Sequence, residues 1–116
     1  MKQIEMKLRE EPFLQIKNGE KTVELRLYDE KRRGLRIGDT VIFSKYGNEN
    51  EKISVTVTGL YRDESFLSLF RSEKMLFAGG FLGYSREAAA SLMRKYYTEE
   101  QERKYGVLAI EFSLTE

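Results

Sequence analysis

Lys21, Glu24 and Arg26 fall within the eight residues Gly19-Glu20-Lys21-Thr22-Val23-Glu24-Leu25-Arg26. A carboxylate flanked by an ammonium and a guanidinium can fix a polar ligand through complementary, charge-assisted hydrogen bonds. In a dry pocket a lysine can also act as base or nucleophile, and a neighbouring carboxylate can shuttle protons. Glu24 and Arg26 are two apart on a strand-like run, so they share a face, roughly 7 Å apart along the backbone. Strict alternation puts Lys21 on the face of Val23, opposite Glu24, although a residue that follows a turn can be redirected by it. From spacing alone, a solvated surface pair is the favoured reading of Glu24 and Arg26.

Other groups are weaker candidates. Arg32, Arg33 and Arg36 cluster beside Gly34 and suit phosphate contact or a charged surface loop. Tyr96, Tyr97 and Tyr105 could stack a base, but Tyr96 falls in a helical apolar stripe, where core packing is the better reading. The segment Phe77-Ala78-Gly79-Gly80-Phe81-Leu82-Gly83-Tyr84 lacks the lysine and preceding strand of a phosphate-binding loop. It reads either as a mobile lid, with Tyr84 a ligand contact, or as a loop whose Phe81 and Leu82 plug the core.

The elements that must position these residues follow from periodicity. Ile4, Met6 and Leu8 alternate as a first strand. Glu10-Glu11-Pro12 opens a helix, with proline suited to its first position, and Asn18-Gly19 stops it. Residues 21–27 form a second strand with Val23, Leu25 and Leu27 on one face. A third strand covers residues 40–44, a hairpin loop 46–50, and a β-branched strand 53–60. Ser65 caps a short helix, and Ser85 caps the longest one, to about Tyr97, with Ala88 or Ala89, Leu92, Met93 and Tyr96 inward. Residues 99–104 add a polar turn, and 107–112 form a last, central strand. The expectation is one α+β domain over residues 1–116, with five or six mostly antiparallel strands curled into a barrel and two or three helices.

Composition narrows the chemistry. The 116 residues include no cysteine and no histidine, which removes disulfides, thiolate nucleophiles, serine–histidine triads and histidine-ligated zinc. No metal or cofactor is expected. Net charge is +1, too small for a non-specific duplex binder. It is unevenly spread: residues 17–45 hold eight basic and five acidic groups, and residues 98–116 hold two and five. The start of the chain shows no long apolar run, and no segment reaches the ~20 apolar residues of a membrane span, so a cytoplasmic protein that does not engage membranes is expected.

Three ordered motifs carry a family resemblance across nearly the whole chain. Residues 19–26 resemble the G-x-K-x-x-E-x-R signature of the ASCH (activating signal cointegrator homology) domain. Gly38-Asp39-Thr40-Val41-Ile42-Phe43 and Tyr105-Gly106-Val107-Leu108-Ala109-Ile110-Glu111-Phe112 resemble the later landmarks of small prokaryotic members. The resemblance implies a PUA-like β-barrel and a cleft where Lys21, Glu24 and Arg26 converge, reversing the surface reading of that pair. It implies binding of RNA or a nucleotide-like ligand in that cleft; the expected partner is RNA, a nucleotide or a modified nucleoside, and Arg33 and Tyr84 are expected to join Lys21, Glu24 and Arg26 as ligand contacts. In that reading Glu24 accepts from a base. The alternative is an enzyme, a ribonuclease or an amidohydrolase-like hydrolase of a modified nucleoside, with Lys21 and Glu24 catalytic. One branch of the superfamily deacetylates acetylated cytidine with the signature lysine, a threonine three residues later and a distant glutamate. This chain resembles it at Gly19, Lys21, Thr22 and Arg26, carries Glu24 in the threonine's place, and has no acid in residues 81–84.

Overall fold

A computed structural model of the protein describes residues 2–115. Five strands form one curled, half-barrel sheet in the order β1-β3-β4-β5-β2. β1 (Gln3–Leu8) lies parallel to β3 (Thr40–Lys45), and every other neighbour is antiparallel. β2 (Val23–Leu27), β4 (Asn48–Asp63) and β5 (Val107–Leu114) complete it. The strands next to each other at the start of the chain, β1 and β2, are therefore the two edges of the sheet. Curling brings those edges to face each other across an open seam.

The hairpin between β3 and β4 is shorter than the expected five-residue loop. It turns on Tyr46-Gly47, with Gly47 at φ +84°, and β4 then runs for 16 residues. Its pairing with β5 slips between Val57 and Gly59. Such a bulge adds twist and bend, which is what lets one long strand follow the curl.

Two apolar clusters lie on the two faces of β5. Leu108, Ile110 and Phe112 join Met6, Leu8, Phe13, Ile16 and Phe43 inside the curl. Val107 and Ala109 join Val23, Leu25, Leu27, Phe66 and Phe70 beneath the helices. Burial on both faces explains why β5 is apolar nearly throughout, as a central strand should be.

Six helices are present where two or three were expected, because most are short. α1 (Glu10–Lys17) starts two residues earlier than Pro12 suggested. The proline sits third, still among positions whose N–H has no partner within the helix. α2 (Glu30–Arg33) and α3 (Phe66–Leu69) are single turns, and α4 (Glu73–Ala78) precedes the glycine-rich loop. Ser65 and Ser85 cap α3 and α5 (Arg86–Leu92) as their types imply. α5 then tightens into a 3-10 turn, Met93–Lys95. The expected polar turn is α6 (Glu99–Tyr105), held by a reciprocal Thr98–Gln101 capping box.

Candidate functional site

The site is built where the curl fails to close. On β2, Val23, Leu25 and Leu27 face the helices, so Glu24 and Arg26 point into the curl. There they stand opposite Ile110 and Leu108 of β5, both core residues. The charged face is thus the inner face, and Glu24 is only 3% exposed. A solvated strand pair, the reading from spacing alone, is not what the chain forms.

Lys21 reaches the same place from outside the strand. After Gly19, at φ +79°, the amides of Glu20 and Lys21 both donate to the Gln15 carbonyl. Lys21 therefore belongs to the turn, and its side chain is not bound by the alternation of β2. Its Nζ lies 3.0 Å from Glu24 Oε1, and Arg26 Nη2 lies 3.1 Å from Glu24 Oε2. Oε1 also accepts from the Leu25 amide at 3.0 Å. Oε2 is buried and the Arg26 approach does not have hydrogen-bond geometry, so the contact there is Coulombic. Arg26 Nη2 also donates to the main-chain carbonyl of Lys7 on β1, at 3.3 Å.

Electrostatics favour full ionisation of this triad. Burial pushes the Glu24 carboxyl up, but Arg26 and Lys21 together outweigh it and hold it below the ordinary carboxylate range. Burial opposes the Arg26 charge as well. Glu24, with help from the nearby Tyr97 hydroxyl, more than compensates and holds it above its usual value.

In front of the triad lies a groove of about 1450 Å³. Its walls come from β1, β2, the start of α1, α2, the β3–β4 turn, residues 79–84 and the end of α5 with the 3-10 turn after it. Besides Lys21 and Arg26, its cationic lining is Lys7, Arg9, Lys31, Arg32, Lys52 and Lys95, eight groups in all. Four carboxylates line it, those of Glu5, Glu11, Glu24 and Glu49, leaving a net +4 on a chain of net +1. Tyr46, Tyr84 and Tyr96 stand in it, 60%, 48% and 51% exposed.

The glycine-rich loop divides between its two readings. Phe81 plugs the helix-side core, edge-on to Phe70 at 5.3 Å, and Tyr84 rests against Phe81 at 5.9 Å. Leu82 does not plug anything and is 73% exposed. Gly80, at φ +91°, crosses so close that a Cβ there would lie 2.9 Å from Gln15 Oε1 and 3.4 Å from Lys21 Cδ. Only glycine combines that φ with that approach.

Of the five expected ligand contacts, Lys21, Glu24, Arg26 and Tyr84 border the groove. Arg33 does not: it turns away onto Tyr28, and its neighbours Lys31 and Arg32 line the groove instead. Arg36 is exposed elsewhere, its amide held by Asp39. Tyr96 is corrected from core to groove. The 3-10 turn takes three residues per turn instead of 3.6, which rotates it off the buried stripe of Ala89, Ala90 and Met93. Thr22, beside the deacetylase's threonine position, is exposed. Lys7, Arg9 and Tyr46 were not anticipated, because β1 and the β3–β4 turn reach the groove only through the tertiary fold. Among the described residues no cluster of three or more histidine, cysteine or acidic side chains converges as a metal site.

The family model of the ASCH domain matches residues 6–116. The chain belongs to the ASCH domain family. Two solved structures extend that relation along the whole ASCH chain. The crystal structure of hypothetical protein PH0355 is 37% identical, covers 97% of this chain and 99% of its own, and superposes with a TM-score of 0.84. The solution NMR structure of protein PF0455 from Pyrococcus furiosus is 36% identical over 98% of each chain, with a TM-score of 0.72. The ASCH domain from Lactobacillus crispatus JV V101, at 13% identity and a TM-score of 0.68, covers 97% of this chain and 79% of its own and shows the shared fold. Comparison with curated proteins gives no match. The half-barrel is thus the PUA-like ASCH fold, and among the described residues no helix is long and apolar enough to cross a membrane.

Proposed function

We propose that the groove binds single-stranded RNA or a nucleotide-like ligand. The observation that carries this reading is the groove's lining, eight cations against four anions interleaved with exposed tyrosines, on a chain whose total charge is only +1. Cations meet phosphates without regard to sequence, and aromatic faces stack unpaired bases. Membership of a family thought to bind RNA supports the same reading.

Arg26 and Lys21 are the donors to phosphate or carbonyl oxygens. Glu24 has a different role from the base acceptor that its motif suggests. Its Oε1 is occupied by Lys21 and Leu25 and its Oε2 is covered, so it holds the two cations in place from behind. Fluorescence anisotropy with a labelled single-stranded RNA and a competing nucleotide panel at low salt tests the proposal. Binding should weaken as salt rises and weaken further in Lys21→Ala and Arg26→Ala. Absence of binding, or equal binding by folded variants, sinks it.

A hydrolase acting on a modified nucleoside is the second reading. It is favoured by one contact, the buried 3.0 Å approach of Lys21 Nζ to Glu24 Oε1, a pair able to pass a proton. Turnover of an acetylated-nucleoside panel, lost in Lys21→Ala, would establish it. No turnover at high enzyme concentration removes it.

A further inference from the structure

Arg33 and Arg62 come from distant parts of the chain and meet on one ring. The Arg62 guanidinium carbon lies 3.9 Å from the centroid of Tyr28 and that of Arg33 lies 5.5 Å from it. Arg33 Nε also donates to the Tyr28 carbonyl, at 3.4 Å. Both arginines are exposed. Neither has a carboxylate within ion-pair distance among the described residues, a state they share with Arg9, Arg36 and Arg86, whereas Arg26, Arg32, Arg71, Arg94 and Arg103 are paired. Stacking holds both guanidinium groups against Tyr28 without cancelling their charge. Guanidinium forks match phosphate oxygens, so a strand passing Tyr28 meets uncompensated donors there.

Position ties this pair to the groove. Arg62 on β4 and Arg26 on β2 both stand opposite Leu108 of β5, so they occupy one row on the inner face, two strand spacings or about 10 Å apart at the backbone. Between Tyr28 and Arg33 in sequence, Lys31 and Arg32 of α2 line the groove. Positive charge therefore runs from the Lys21–Arg26 wall across α2 to Tyr28.

We infer that Arg33 and Arg62, seated on Tyr28, make a second backbone-phosphate contact for single-stranded RNA outside the groove. The ligand is then an oligonucleotide whose strand crosses α2, not an isolated mononucleotide. The inference rests on the groove being an RNA site.

The test compares a labelled oligoribonucleotide of about ten nucleotides, within the span of small single-strand-binding folds, with a nucleoside monophosphate. Arg33→Ala/Arg62→Ala should weaken the oligonucleotide on the order of tenfold, as expected for lost charged hydrogen bonds. It should lower the salt slope by roughly 0.7, for one phosphate, and leave the monophosphate unchanged. Arg33→Lys/Arg62→Lys should recover part of the loss. An unchanged oligonucleotide affinity and slope in the alanine variant overturns the inference, and the groove reading stands if Lys21→Ala and Arg26→Ala still weaken binding. Equal loss of both ligands also overturns it, with circular dichroism separating misfolding from a single shared site. Failure of the wild-type protein to bind either ligand removes the groove reading and the inference together.

Discussion

The Arg26 guanidinium, on one edge strand, donates to the main-chain carbonyl of Lys7 on the other edge and faces Glu24 with the same nitrogen. One side chain both spans the seam and compensates a buried acid. Arg26→Met removes both roles and leaves Glu24 with Lys21 alone, so stability should fall by about 3–5 kcal/mol, the scale for breaking a buried pair. Arg26→Lys keeps the charge but not the planar fork, and should fall between. Urea midpoints measure this, and a midpoint unchanged in Arg26→Met would show that the triad does not hold the seam.

The acid limb of the stability profile should report Glu24. Burial raises its carboxyl, Arg26 and Lys21 bring it lower still, and the net position is below the ordinary 4.5. A folded-state value lowered in this way stabilises the protein above about pH 4.5 and is lost as pH falls through the folded value. Asp39 and Asp63 are also held low, by main-chain donors among other causes, and they remain in a Glu24→Gln variant. The stability gap between wild type and Glu24→Gln should therefore be widest near neutral pH and narrow below pH 4.5. A gap that stays constant with pH contradicts this.

Tyr84 and Tyr96 are half exposed and belong to no core cluster. Alanine at either position should leave the melting temperature nearly unchanged and cost about 1–3 kcal/mol of single-strand affinity, the usual scale for a stacked base. Loss of stability without loss of affinity would make them structural.

Gly80→Ala should be harmful out of proportion to one methyl group. The left-handed backbone costs a non-glycine residue about 1–3 kcal/mol, and the new Cβ displaces the end of the Gln15 side chain beside Lys21. Lowered stability together with weaker ligand binding is the expected result from thermal melts and titration. Gly83 has φ +86° but open space around it, so Gly83→Ala should show the backbone cost alone.

What was legible in the chain was mainly what is local. Alternation placed Val23, Leu25 and Leu27 on one face of β2, and Ser65 and Ser85 on helix starts, because these depend on neighbours a few residues away. Which face of β2 met solvent was not legible from spacing, since both are covered by elements far along the chain, α3 and β5 among them. α6 had a readable signal in Thr98 and Gln101, a capping box without an apolar run behind it. The partners on Tyr28 had none: Arg33 was visible as part of a basic cluster, but Arg62 reaches it only through the pairing of β4 with β5.

The strand order has a consequence for synthesis. β2 is joined to the sheet only by β5, although the two are separated by some 80 residues of chain. While residues 107–114 are still inside the ribosome, β2 has no strand to pair with, and the Arg26–Lys7 contact must span the seam without that support. The groove is therefore among the last parts to assemble. A nascent chain that already displays its signature motif does not yet have the finished groove around it.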